Sequence, residues 1–214
     1  MIQLAFRNGA RLAVLALIAA CARHPATAGD DHSGHEMTAS SGSVAPEASM
    51  QQGAGLPAGA ADAASRLANS PRHGEWVLVK IGTDSVRAWI VYPQVSKKAP
   101  VVVVIHEIFG LTSWVRGVAD QLAADGFIAI APDLLTGKVP PNLSDSALQA
   151  EGPKVIRTLD AEDVQRKIDA IAQYAMALPS ATKKYGIVGY CWGGGVSFAH
   201  AAHAGKSPAF GASV

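Results

Sequence analysis

The chain has 214 residues, a formal net charge of +1 and 16% charged residues. That length accommodates one domain with a sizeable core plus additional segments. The near balance of charge, without a basic run or stripe, argues against a nucleic-acid partner. The apolar fraction of 49% is inflated by alanine near the N-terminus, and the two cysteines are Cys21 and Cys191.

Residues 1–28 have the composition of an export signal. Arg7 and Arg11 supply a positive region, and residues 12–20 (LAVLALIAA) form an apolar run. That run is too short to span a bilayer but fits a signal core. Two processing sites compete. Ile18-Ala19-Ala20-Cys21 resembles a lipoprotein signal, in which a lipidated Cys21 tethers the protein to a membrane; Ala26-Thr27-Ala28 fits ordinary cleavage. The first is favoured because Cys21 directly follows the apolar run, and an uncut membrane anchor is the third alternative. Either processing route places the protein outside the cytoplasm, in the periplasm or on a membrane, and leaves Cys191 without a disulfide partner. An unpaired thiol in an exported protein suggests a chemical role.

Residues 29–72 are rich in Gly, Ala, Ser and Pro and read as a flexible linker. His32, His35 and Glu36 cluster there and have the chemistry to hold a transition metal weakly. A solvated tail is the stronger reading, because a flexible segment fixes no ligand geometry.

The folded domain is placed at 73–214. Residues 76–81 and 86–92 are strand-like around a turn at 82–85, which predicts an antiparallel hairpin. Residues 101–105 (VVVVI) are β-branched without polar alternation, as in a strand buried on both faces of a parallel sheet. His106-Glu107-Ile108-Phe109-Gly110 follows, at the strand end where open α/β sheets carry their sites. A helix capped by Thr112 or Ser113 and stopped by Gly126 leads to a buried strand at 127–131. Residues 133–158 read as a loop over the site. An amphipathic helix follows from Asp160 to Leu178, with Asp160 as its cap. The elbow strand, a helix to about Ala204 and a strand opening at 209–214 complete the chain. Hairpin, then alternating strands and helices, predicts a mostly parallel sheet covered on both faces.

The chemistry centres on Tyr185 to Gly195, YGIVGYCWGGG. It contains G-x-C-x-G, the nucleophile-elbow pattern with sulfur in place of the serine oxygen. Gly189 and Gly193 remove side chains that would collide in the strand-to-helix turn. The free N–H groups at the start of the following helix favour negative charge on the nucleophile or on a developing oxyanion. The alternative is a buried cysteine in a glycine-rich corner.

HEIFG after a buried strand, then APDL, then GYCWGG resemble the dienelactone hydrolase family of the α/β-hydrolase fold, over residues 72–214. The resemblance implies hydrolysis of small lactones and esters without a metal or organic cofactor. It implies Cys191 as nucleophile and Glu107 as the carboxylate that contacts and activates the thiol. It implies the backbone N–H groups of Ile108 and Trp192 as the oxyanion hole. Acyl transfer needs such an attacking atom and fixed donors, each worth about 3 kcal/mol of barrier. Glu107 has other readings: a cap near Thr112, or a partner of Arg116. His106 reads either as a substrate contact or as turned away. His200 and His203 lie on the helix after the elbow, facing away from Cys191, and are rejected as general bases.

The sequence departs from the family in one respect. The resemblance implies an acid and a histidine on loops after two further strands beyond the nucleophile, and neither is present in the residues after Cys191, where His200 and His203 lie on the elbow helix. The fold expected is thus an α/β-hydrolase-type sheet truncated before its last strands, with low activity for these residues alone. Two further hypotheses stand: a non-catalytic small-molecule binding protein with a hydrolase-like fold, and a surface lipoprotein whose His-rich tail buffers metal.

Overall fold

A computed structural model describes residues 58–214. The export signal at 1–28, Cys21, and the His32, His35 and Glu36 cluster lie outside the described residues. The elements are α1 (Ala63–Ala68), β1 (Gly74–Ile81), β2 (Asp84–Val91), β3 (Ala99–Ile105), α2 (Ser113–Ala124), β4 (Ile128–Asp133), α3 (Asp145–Ile156), α4 (Ala161–Ala177), β5 (Ala181–Gly189), α5 (Trp192–Ala204) and β6 (Phe210–Ser213). The strands form one sheet in the order β1-β2-β4-β3-β5-β6. The β1–β2 hairpin joins β4 antiparallel; β4, β3, β5 and β6 run parallel.

Both faces are covered. Val91, Val104, Val115, Val118 and Ala129 build the core under α2. Ile90, Val103, Ile130, Ile168 and Ile171 build the larger core under α4. Val103, Val104, Ile128 and Ile130 are fully buried. That is why β3 and β4 read as unbroken apolar runs rather than alternating ones. Asp160 caps α4, its side chain accepting from the Asp163 N–H at 2.8 Å.

Three sequence expectations change. The linker placed at 29–72 contains α1. Ala58 and Ala63 are buried, and both pack closely on Gly117 of α2. Arg72 then locks the segment down, donating twice to the Asp120 carboxylate, which also accepts from the Ser70 hydroxyl. The small side chains that looked like linker composition are what permits this close approach.

The loop expected at 133–158 contains helix α3. Ser144 caps it, accepting from the Ala147 N–H at 3.2 Å, and Leu148, Gly152 and Ile156 are buried four residues apart. Packing of that stripe outweighs the hydrogen bond lost at Pro153 inside the helix. Finally, the Thr112 hydroxyl makes no capping bond at α2. Asp145, the first residue of α3, accepts the Ser113 N–H at 2.9 Å instead.

Candidate active site

The sheet register assembles the site. In the parallel pair β3–β5, Ile105 lies opposite Gly189. The two strands therefore end together, and the segments leaving them, 106–110 and 190–192, emerge side by side. The Tyr190 N–H points to the Ile105 carbonyl at 3.4 Å.

Cys191 is the second of two residues between β5 and α5 and the cap position of α5, with φ 54° and ψ −116°. It is exposed and free. A non-glycine residue in this region of φ carries about 1–3 kcal/mol of strain unless its surroundings enforce it. They do so through the two glycines. A Cβ on Gly189 would fall 1.9 Å from the Gly193 oxygen. A Cβ on Gly193 would fall 2.5 Å from the His106 oxygen and 2.6 Å from the Ile105 oxygen. Gly189 thus lets the turn close on itself, and Gly193 lets it seat against the end of β3. The Gly193 N–H bonds the Tyr190 carbonyl at 2.8 Å and the Gly194 N–H the Cys191 carbonyl at 3.0 Å. The Trp192 N–H donates to no acceptor among the described residues.

Glu107 and Ile108 lie on the turn that closes with the Gly110 N–H on the Glu107 carbonyl at 3.2 Å. Gly110 has φ 90°, which glycine alone accepts without strain. The Ile108 N–H, like that of Trp192, has no acceptor among the described residues. Two unengaged backbone donors on adjoining turns have the chemistry of an oxyanion hole. The Glu107 side chain is half-buried, and burial raises its carboxyl above the usual range. It neither caps α2 nor pairs with Arg116. It also makes no hydrogen bond with the Cys191 thiol, and neither group has another partner among the described residues.

His106 turns away from solvent. Its Nδ1–H donates to the Glu107 carbonyl at 2.7 Å, and its Nε2 accepts the Leu134 N–H at 3.2 Å. Full burial lowers its pKa to about 4, so the ring is neutral at neutral pH. It ties the Glu107 turn to the end of β4. The Trp192 side chain, expected only to contribute its backbone, stacks on this ring with centroids 5.6 Å apart.

No histidine among the described residues hydrogen-bonds Cys191. His200 is buried and held by the Tyr185 hydroxyl at 2.9 Å and Gln165 at 2.8 Å; His203 pairs with Asp169. Asp133 anchors its own loop by accepting the Leu135 N–H at 3.2 Å.

Sequence reasoning missed the support under Ile108. A Cβ on Gly152 of α3 would fall 2.6 Å from the Phe109 oxygen and 2.8 Å from the Ile108 oxygen. Helix α3 therefore rests directly on the turn. The signals were present as Ser144 at the cap and the four-residue spacing of Leu148, Gly152 and Ile156.

A hairpin-fed, mostly parallel sheet with an elbow after its fifth strand defines an α/β-hydrolase-type fold. The model of the dienelactone hydrolase family matches residues 86–214, and the chain belongs to that family. Carboxymethylenebutenolidase 1 of Cupriavidus pinatubonensis is 33% identical over 106 residues, 48% of this chain and 45% of the relative. The carboxymethylenebutenolidase of Pseudomonas putida is 33% identical over 107 residues, 49% of this chain and 45% of the relative. A Klebsiella pneumoniae protein provisionally named a dienelactone hydrolase has a crystal structure matching at TM-score 0.55 and 26% identity. That match covers 66% of this chain and 58% of that one. A dienelactone hydrolase-like promiscuous phosphotriesterase from metagenomic libraries shares the fold at TM-score 0.52 and 23% identity, over 65% of this chain and 56% of that one. The chain spans about half the length of the curated relatives it matches.

Proposed function

We propose that the protein hydrolyses small lactones or carboxylic esters through an acyl-enzyme on Cys191. The observation that carries this reading is the exposed Cys191 at φ 54° beside the unengaged N–H groups of Trp192 and Ile108. Family membership and the relatives' names supply the substrate class.

The thiol gives its proton to Glu107, and sulfur forms a bond to the carbonyl carbon. The oxygen that gains the electron pair is held by the N–H groups of Ile108 and Trp192. On collapse the ring or ester C–O bond breaks, and the departing oxygen takes the proton back from Glu107. Water then adds to the thioester carbonyl, releasing the carboxylic acid and restoring the thiol. Turnover of p-nitrophenyl acetate by the full-length protein and its Cys191→Ser variant tests this. A loss of at least ~10²-fold is expected on the logic of an altered nucleophile; equal rates end the reading.

A second reading, a binding protein without turnover, is favoured by one observation. No imidazole among the described residues hydrogen-bonds Cys191. Saturable substrate binding with no product release by the full-length protein would select it.

The proposal includes export, with the mature protein in the periplasm or tethered to a membrane through lipidated Cys21. It rests on the composition of residues 1–28. Incorporation of labelled palmitate into wild type but not Cys21→Ser is the expected result; no incorporation removes the tether.

A further inference from the structure

A cavity of about 240 Å³ lies between the β1–β2 hairpin, α2 and the segment leading into α3, with none of Cys191, Glu107 and Ile108 in its lining. The sheet order puts β2 three strands from β5. At roughly 4.8 Å per strand this separates Arg87 on β2 from the Cys191 strand by about 14 Å.

Two arginines line it. The Arg87 guanidinium lies 3.6 Å from the centre of the Trp76 ring, and its Nη2 donates to Asn142 Oδ1 at 2.7 Å. Asn142 is held at φ 62°, a left-handed conformation that asparagine tolerates. The Arg116 guanidinium lies 5.6 Å from the rings of both Trp76 and Trp89, and its Nη2 donates to the Ser113 hydroxyl at 3.0 Å. Its Nε is buried without a partner, as is the Trp89 indole N–H. Burial is the main cause that lowers the Arg116 pKa; the Asp145 carboxylate acts to raise it and the nearby Arg87 charge to lower it.

Asp133 and Asp145 also line the cavity, yet neither forms an ion pair with either arginine among the described residues. Their printed bonds go to the backbone N–H groups of Leu135 and Ser113. Arg72, by contrast, is paired in full with Asp120. The cavity thus holds two arginines and two aspartates whose charges act on one another without ion pairing, and the buried Arg116 Nε has no partner among the described residues. A buried unpaired donor costs about 1–3 kcal/mol, which a fitting acceptor recovers.

We propose that this cavity binds a small monocarboxylate with an apolar or aromatic body, at a site separate from Cys191. A carboxylate presents the planar oxygen pair that guanidinium forks recognise. Trp76, Leu111 and Leu148 offer the apolar wall. The two aspartates oppose a ligand of higher negative charge such as phosphate. The assignment does not depend on the hydrolase reading.

Sodium benzoate is the probe, titrated into the full chain at constant ionic strength by calorimetry and tryptophan fluorescence. Saturable one-to-one binding is expected, unchanged after Cys191 is alkylated with iodoacetamide. Arg116→Met and Arg87→Lys should each weaken it at least tenfold; Arg87→Lys keeps the charge and loses only the fork, and circular dichroism confirms that each variant folds. Absence of saturable binding overturns the proposal. So does loss of binding on Cys191 alkylation, or inorganic phosphate binding as tightly as benzoate. Folded variants of both arginines that bind like wild type overturn it as well.

Discussion

Cys191 and Ile108 sit on neighbouring turns at the carboxyl ends of the central strands β5 and β3, yet the turns are held by different means. The Cys191 turn is held by its own glycines. Gly189 and Gly193 occupy places where any Cβ would strike backbone at 1.9–2.6 Å. The Ile108 turn is held from outside, by Gly152 of α3 pressed on its carbonyls and by buried His106 tying it to β4. The first turn draws its glycines from five consecutive residues, one of which also seats it against the end of β3; the second depends on a helix about forty residues further along the sequence. A site whose two halves are built so differently should fail differently.

The largest effect is expected at the elbow. Gly193→Ala meets backbone atoms that cannot rotate away, and stability should fall by about 3 kcal/mol or more in urea unfolding. A change under ~1 kcal/mol would show that the close seat against β3 is not needed.

His106 comes next. Its folded pKa of about 4 lies below the unfolded value of 6.5. The unfolded chain thus binds the extra proton between these limits, and stability from this group is complete above pH 6.5 and lost as pH falls to 4. The depression corresponds to roughly 3 kcal/mol. Unfolding followed from pH 7 to 4 should show this slope in wild type and its loss in His106→Asn.

Gly152→Ala sharpens the contrast. It should lower stability by about 2 kcal/mol, and its signature is in catalysis. Displacing the Ile108 donor should reduce p-nitrophenyl acetate turnover by ~10²-fold. Loss of stability with unchanged turnover would separate α3 from the site. The smallest effect belongs to Ser144→Ala, which removes the α3 cap and about 1 kcal/mol of stability.

The same contrast explains what could be read from the sequence. The hairpin, the buried strands β3 and β4, the Asp160 cap and the elbow each follow from adjacent residues, so their local physics is visible. Helix α3 was hidden because Gly152 and Pro153 weaken a helix locally. Only the surface they pack against explains them. Helix α1 was hidden in the same way: Ala63 looks like linker until Gly117 lies against it. The role of His106 could not be read because its partner, the Leu134 N–H, comes from another strand's end.

The central claim is that Cys191 carries the acyl group. The most direct test is mass spectrometry of the full-length protein, acid-quenched during turnover of p-nitrophenyl acetate and digested. The account predicts one acetyl group on the peptide containing Cys191 and on no other. Release of p-nitrophenol with Cys191 unmodified, at a rate that Cys191→Ala shares, would contradict it.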